Sequence, residues 1–133
     1  MKPAALEHVN VTVSDPDGTA KLLCRLFDWR IRWSGPALGG GRSIHVGSDD
    51  AYIVVYAGRE PQAEKPNTHR TISGLNHIGV VTDDLEAVAE RVRAVGYAPG
   101  AVEDYEPGRR FYFDGPDGIE FEVVSYAPVA APA

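Results

Sequence analysis

The stretch "LEHVNVTVSDPDGTAKLLCRLFDWRIR", residues 6–32, returns between residues 75 and 99 as "LNHIGVVTDDLEAVAERVRAVGYAP", with His8 answered by His77. Each copy reads as a strand bearing a histidine, a turn of acidic residues and then an amphipathic helix. Each helix closes on a polar or glycine step before an aromatic, Asp28-Trp29 and Gly96-Tyr97. A repeat of this kind decides the architecture before any single element does. It also places one metal-competent side chain at the same point of both halves.

In residues 6–13, Val9, Val11 and Val13 alternate with His8, Asn10 and Thr12, the period of a strand with one apolar and one polar face. Ser14-Asp15-Pro16 offers a cap and a proline suited to a first helical turn. Ala20, Leu23, Leu26 and Phe27 then form a helical stripe. Extended character resumes from Trp29 to Trp33, and Gly35 to Gly41 reads as a turn. "RSIHVGS" and "AYIVVYAG" are the next strands, split by Asp49-Asp50.

In the second copy, Ile78 and Val80 share one strand face, and His77, Gly79 and Val81 the other. Asp83 with Glu86 resembles a capping box. Leu85, Val88, Ala89, Val92 and Val95 make the second stripe, ended by Gly96. "GRRFYFDG" and "GIEFEVVSY" close the chain around the Pro116-Asp117-Gly118 turn. Each half is thus expected to run strand, helix, three strands. Module one spans about 5–60, a connector 61–73, module two 74–127 and a loose tail 128–133. The valines are the faces the helices cover, so the histidines point to the other faces. If the two sheets sit side by side, those faces curve together into a cleft.

The 133 residues suit one small domain built from two such modules. Hydrophobic residues make up 44% and charged residues 24%, an ordinary globular balance. A net charge of −6 with scattered cations gives no basic stripe, which argues against nucleic acid. No apolar run reaches membrane-spanning length, and the start resembles no signal peptide, so a cytoplasmic location is expected. Cys24 is the one cysteine; it excludes an internal disulfide and falls in the helical pattern as a small buried residue.

The candidate site is His8, His77 and Glu122, with Glu120 and Glu122 on one face of the last strand. Imidazole and carboxylate suit Fe, Mn, Zn, Ni or Co. Three such ligands leave positions open for a substrate with two adjacent oxygens, which the ion polarises as a Lewis acid or brings together with dioxygen. A single strand-start histidine is usually a surface or core residue. Two at matched positions of a repeat make the stronger case.

The paired modules, the openings "LEHV" and "LNHIGV", and the ending "RFYFDGPDGIEFEVVSY" resemble the vicinal oxygen chelate superfamily across residues 5–126. That group includes glyoxalase I, extradiol dioxygenases, fosfomycin-resistance thiol transferases, methylmalonyl-CoA epimerase and bleomycin-resistance binding proteins. The resemblance implies an α+β fold of two repeated βαβββ modules forming a U-shaped or partly closed barrel-like sheet. Its closing signature sets a glutamate four residues after the turn glycine, which selects Glu122 over Glu120. Gly115 replaces the first aspartate of that turn. Four-ligand members carry a further acid or amide on the fourth strand of the first half; here Tyr52, Ile53 and Val54 stand in that stretch. Their presence argues against glyoxalase and epimerase activity. The three-ligand set resembles extradiol dioxygenases and fosfomycin-resistance enzymes.

Around these ligands, His45 reads as an acid or base near the metal, or as a histidine at a sheet edge. Asn10, Tyr52 and Tyr56 are candidate substrate contacts or cavity wall, and Arg109 and Arg110 are candidates to grip a carboxylate, with Arg110 favoured. His69 reads as a loop histidine, and Gly39-Gly40-Gly41 lacks the lysine and helix of a phosphate cradle. The expectation is a divalent-metal-dependent enzyme acting on a small molecule, homodimeric by analogy with relatives, with Trp29 and Trp33 at the interface. The competing reading is a metal-free protein that sequesters an aromatic or peptide-like compound.

Overall fold

A computed structural model describes residues 2–60, 67–105 and 107–128. The chain divides into two compact units, Met1–Lys65 and Pro66–Ala133. In the first, strand β1 (His8–Thr12) leads into helix α1 (Pro16–Phe27), followed by β2 (Arg30–Pro36), β3 (Arg42–Gly47) and β4 (Tyr52–Ala57). In the second, β5 (Ile78–Val81) leads into α2 (Leu85–Ala94), then β6 (Glu103–Tyr105), β7 (Gly108–Asp114) and β8 (Glu120–Ser125). The two βαβββ modules expected from the repeat are both present.

Each unit has one mixed four-stranded sheet, in the orders β1-β4-β3-β2 and β5-β8-β7-β6. The first strand pairs parallel with the last, which requires the crossover that the helix supplies. The other pairs are antiparallel hairpins.

Helix starts repeat closely. Asp15 and Asp84 are the N-caps, accepting from the amides of Gly18 and Ala87, each at 3.1 Å. Capping therefore falls on Asp84, the residue immediately before α2, and not on Asp83; the Asp84 amide in turn donates to the Thr82 hydroxyl. Glu86, read as the other half of a capping box, instead pairs with Arg109 of β7. Asp17 makes the matching contact with Arg42 of β3. Helix ends repeat as well: Asp28 and Gly96 both adopt positive φ, 57° and 94°. At Gly96 the missing Cβ removes the steric cost of that conformation.

The apolar stripes are buried except at their C-terminal ends, where Phe27 and Val95 are half-buried and Val95 lies past the helix as its C-cap. Ala20, Leu23 and Leu26 are buried with α1 packed on β3 and β4, over Ile44, Val46, Ile53 and Val55. Leu85, Val88, Ala89 and Val92 are buried with α2 packed on β8, in a core with Phe111, Phe113, Phe121 and Val123. Fully burying a side chain of that size contributes about 1.5–3 kcal/mol. Cys24 is half-buried and unpaired, and desolvation raises its thiol pKa, which disfavours a nucleophilic thiolate.

Two further local expectations need correction. Gly35 and Pro36 belong to β2, which continues past Trp33 because β3 supplies partners as far as Arg42. His77 precedes β5 instead of lying within it, whereas His8 is the first residue of β1. The short strand Glu103–Tyr105 carries no apolar alternation and is held by pairing with Arg110, Arg109 and Gly108. Of the expected connector, residues 61–66 lie outside the described residues, as do residues 129–133 of the expected tail. No described helix is long and apolar enough to cross a membrane.

Candidate functional site

In the second unit, the helix-covered face carries Ile78, Val80, Phe121, Val123, Phe111 and Phe113. Strand alternation sends Gly79, Glu122, Tyr112 and Arg110 to the opposite face. Glu122 is the centre of that face. Its Oε2 accepts a short hydrogen bond from the Tyr112 hydroxyl, lies 3.9 Å from His77 Nε2, and lies 3.7 Å from Arg110 Nη1. The Glu122 side chain is 16% exposed, reachable yet largely dry. Gly79 is its neighbour in register on β5, and a Cβ there would meet nothing within 4 Å.

His77 Nδ1 lies 2.8 Å from Asn76 Oδ1, a contact that orients the ring with Nε2 on the side of Glu122. An imidazole nitrogen and a carboxylate oxygen each sit about 2.0–2.2 Å from a bound zinc-sized ion. Groups 3.9 Å apart can therefore touch one ion together. Among the described residues, neither unit alone gathers three His, Cys, Asp or Glu side chains suited to a metal.

Tyr112, passed over as a site residue by the sequence reading, has its phenol pKa pushed far above the ordinary range. The hydrogen bond to Glu122 is the main cause, with desolvation second. A hairpin centred on Asp117 sets residues five before and five after it opposite one another, so the turn motif contained the signal. Glu120 is engaged elsewhere, in a short contact with His69 Nε2. The loop histidine thus has a partner, and Glu122 is the carboxylate facing His77. Arg109 and Arg110 separate in the same way. Arg109 faces α2 and pairs with Glu86, while Arg110 is 7% exposed beside Glu122.

In the first unit, His8, Asn10 and Thr12 share a face with Tyr52, Val54 and Tyr56, and with Ser43 and His45. The rings of His8 and His45 lie nearly parallel to that of Tyr52, with centroids 4.9 and 4.8 Å away. Trp33 follows at 5.1 Å from His45, and the Arg32 guanidinium covers Tyr52 at 4.4 Å. Consecutive residues reach one face here because β2 bulges between Ile31 and Trp33. Tyr52 lies over Gly47, where a Cβ would fall 2.7 Å from the tyrosine Cβ. Tyr56 extends over Gly41 and toward Gly58, away from this cluster, and Asn10 is exposed. Burial, followed by the charges of His8 and Arg32, lowers the His45 pKa and favours a neutral ring.

His8 repeats the device seen at His77. Its Nδ1 lies 2.9 Å from Glu7 Oε1, a contact that orients the ring. In both copies the residue before the histidine orients it, a contact the sequence reading overlooked. The copies part at the next position. Asn10 pairs with Val54 as Gly79 pairs with Glu122, so Val54 stands where the second unit has its carboxylate.

Comparison with known proteins agrees with this architecture. No curated protein matches the chain. Among solved structures, a glyoxylase/bleomycin resistance protein/dioxygenase domain from Frankia sp. EAN1pec superposes with a TM-score of 0.76 at 18% identity, over 94% of this chain and 98% of that one. TnmS3, an antibiotic binding protein from Streptomyces sp. CB03234, gives 0.71 at 20%, over 94% and 98%. The fosfomycin resistance protein FosX from Listeria monocytogenes, complexed with Mn(II) and sulfate, gives 0.69 at 20%, over 96% and 95%. At these identities the likeness is one of fold. The family model of the Glyoxalase/Bleomycin resistance protein/Dioxygenase superfamily matches residues 5–123, and the chain belongs to that superfamily.

Proposed function

We propose that the protein is a divalent-metal-dependent enzyme acting on a small molecule with neighbouring oxygens, its ion held by His8, His77 and Glu122. The observation that carries this reading is the pair His77 and Glu122, 3.9 Å apart, with the imidazole oriented by Asn76 so that Nε2 faces the carboxylate. Such an outer partner on the far nitrogen is the usual companion of a metal-binding histidine. His8, similarly turned by Glu7, completes the donor set. Fe, Mn, Zn, Ni and Co all accept these donors. The fold relative FosX, crystallised with Mn(II), is consistent with the choice.

A bound divalent ion supplies Lewis acidity toward substrate oxygens. The chain's own groups do the rest. Tyr112 and Arg110 hold Glu122 in place and keep water from its rear side. Arg110, with Asn10 and Tyr52, contacts substrate, Tyr56 is turned away and takes no part, and neutral His45 accepts or returns a proton.

Thermal melting tests the metal reading. Ion at a hundredfold excess over its Kd adds about 2.7 kcal/mol to stability, several degrees of Tm for a chain of this size. Mn, Fe, Ni or Zn should raise Tm, a chelator should reverse the rise, and His77→Ala should abolish it. No shift in the parent protein would remove the proposal. An oxygen-uptake screen with catechols and a thiol-consumption screen then separate the dioxygenase and transferase classes.

The sequestration reading rests on a separate observation, the ring cluster of His8, Tyr52, His45 and Trp33 in the first unit. Binding of a planar aromatic compound that survives chelator and His77→Ala would favour it.

A further inference from the structure

Arg110 is an anomaly in the second unit. Its side chain is 9% exposed, yet its hydrogen bonds are few and poor. Nη2 reaches the Gly108 carbonyl at 3.4 Å, Nη1 stands 3.7 Å from Glu122 Oε2, and Nε is buried with no partner among the described residues. The Tyr105 ring covers the guanidinium, with Cζ 4.6 Å from its centroid. Burying a cation costs several kcal/mol unless its charge and donors are matched. Among the described residues, one carboxylate at 3.7 Å, already accepting from Tyr112, matches them badly.

Resting on the metal reading above, the imbalance deepens. A divalent ion and a guanidinium would then share one carboxylate, leaving the pocket with excess positive charge. Nη1 is the guanidinium nitrogen turned toward Glu122, where its N–H groups can meet an oxyanion seated beside that carboxylate. We infer that the substrate carries an oxyanion, a carboxylate or a phosphonate-type group, and that Arg110 is the residue that recognises it. Neutral diols then lack a contact that the true substrate makes. Arg109, one residue away and turned to the other face toward Glu86, takes no part.

The test uses the manganese-loaded protein and three probes: glycolate, methylphosphonate and the neutral ethylene glycol. Electron paramagnetic resonance first establishes Mn(II) affinity for the parent, Arg110→Lys, Arg110→Met and Arg109→Gln. Water-proton relaxation then reads probe binding. At least one anion should bind the parent about tenfold or more tighter than ethylene glycol. Arg110→Met should weaken that anion about 10- to 100-fold, Arg110→Lys less, and Arg109→Gln not at all. Preference for glycolate identifies a carboxylate substrate, and preference for methylphosphonate a phosphonate or phosphate one. Equal binding of diol and anions overturns the inference, as does an anion preference that survives in Arg110→Met. The parent comparison and Arg110→Lys decide the matter should Arg110→Met fail to fold. Failure of the parent to load manganese leaves the metal reading to the Fe, Ni and Zn melting series. Calorimetry of the same anions on metal-free protein then decides Arg110: binding lost in Arg110→Lys supports the inference, and no binding to the parent overturns it.

Discussion

The two units share one plan and differ in what they put on the face away from the helix. Both cap their helices with an aspartate, both tie a first-turn acid to an arginine of the sheet, and both turn a histidine through its Nδ1. At the centre of the sheet, however, the first unit has Val54 flanked by Asn10 and His45, and the second has Glu122 flanked by Gly79 and Tyr112. One face is a row of rings, and the other is a carboxylate with three polar neighbours. A duplicated scaffold thus keeps its framework contacts while its central strand position is free to carry different chemistry.

Exchanging the central residues tests this contrast most severely. Glu122→Val should lower metal affinity at least about 100-fold and cost about 3 kcal/mol, because Arg110 is left as an uncompensated buried cation. Isothermal titration and denaturant unfolding measure the two effects. Val54→Glu places a carboxylate at a position 3% exposed, and should destabilise by about 2 kcal/mol or more. Burial raises that carboxyl's pKa, so the loss should be smaller at pH 5, where it stays protonated, than at pH 8. Equal stability at both values would mean that His8 or His45 pairs with it.

The orienting contacts come next. Glu7→Ala and Asn76→Ala should each weaken Mn(II) binding about tenfold, with little change in Tm for Asn76→Ala and a larger loss for Glu7→Ala, because Glu7 Oε1 also accepts from the Tyr52 hydroxyl at 2.9 Å. An effect confined to Asn76→Ala would remove His8 from the donor set.

Tyr112→Phe should cost about 1 kcal/mol at neutral pH through loss of the hydroxyl that serves Glu122. Its pH dependence has a definite sign. The folded phenol pKa is raised, so its contribution is complete below the unfolded value near 10 and declines as pH rises from there toward the folded value. Parent and variant stabilities should therefore converge in alkali. Ultraviolet titration should show one tyrosine that resists ionisation beyond the others.

Smallest are the framework ion pairs. Glu86→Gln and Asp17→Asn should each lower Tm by no more than about 3 °C at low salt, and less in 1 M salt, because exposed pairs are screened. Arg109 and Arg42 lower the pKa values of these carboxyls, so each contribution is present above the unfolded carboxylate pKa and lost as pH falls through the folded one. A markedly larger effect in one unit would show that the two frameworks are not equivalent.

Much of this was legible in the chain itself. The repeat announces two modules, because one hydrophobic period after another must bury its apolar face in the same way. Alternation puts His8 and Glu122 opposite the valines and phenylalanines, a consequence of the two-residue pleat. Local chemistry misled at Asp83, since two adjacent aspartates compete to cap one helix and the one immediately before α2 does so. Nothing local distinguishes Arg109 from Arg110 in composition, yet strand parity sends one to Glu86 and buries the other beside Glu122.

Sequence alone therefore determined the module plan, the helix faces and the parity of the alternating strands, all set by interactions within a few residues. Tertiary structure decided which side chains meet: Tyr112 on Glu122, Glu120 on His69, Arg32 over Tyr52. Those meetings depend on register and on the bulge in β2, where hydrogen bonding between distant strands chooses the partner.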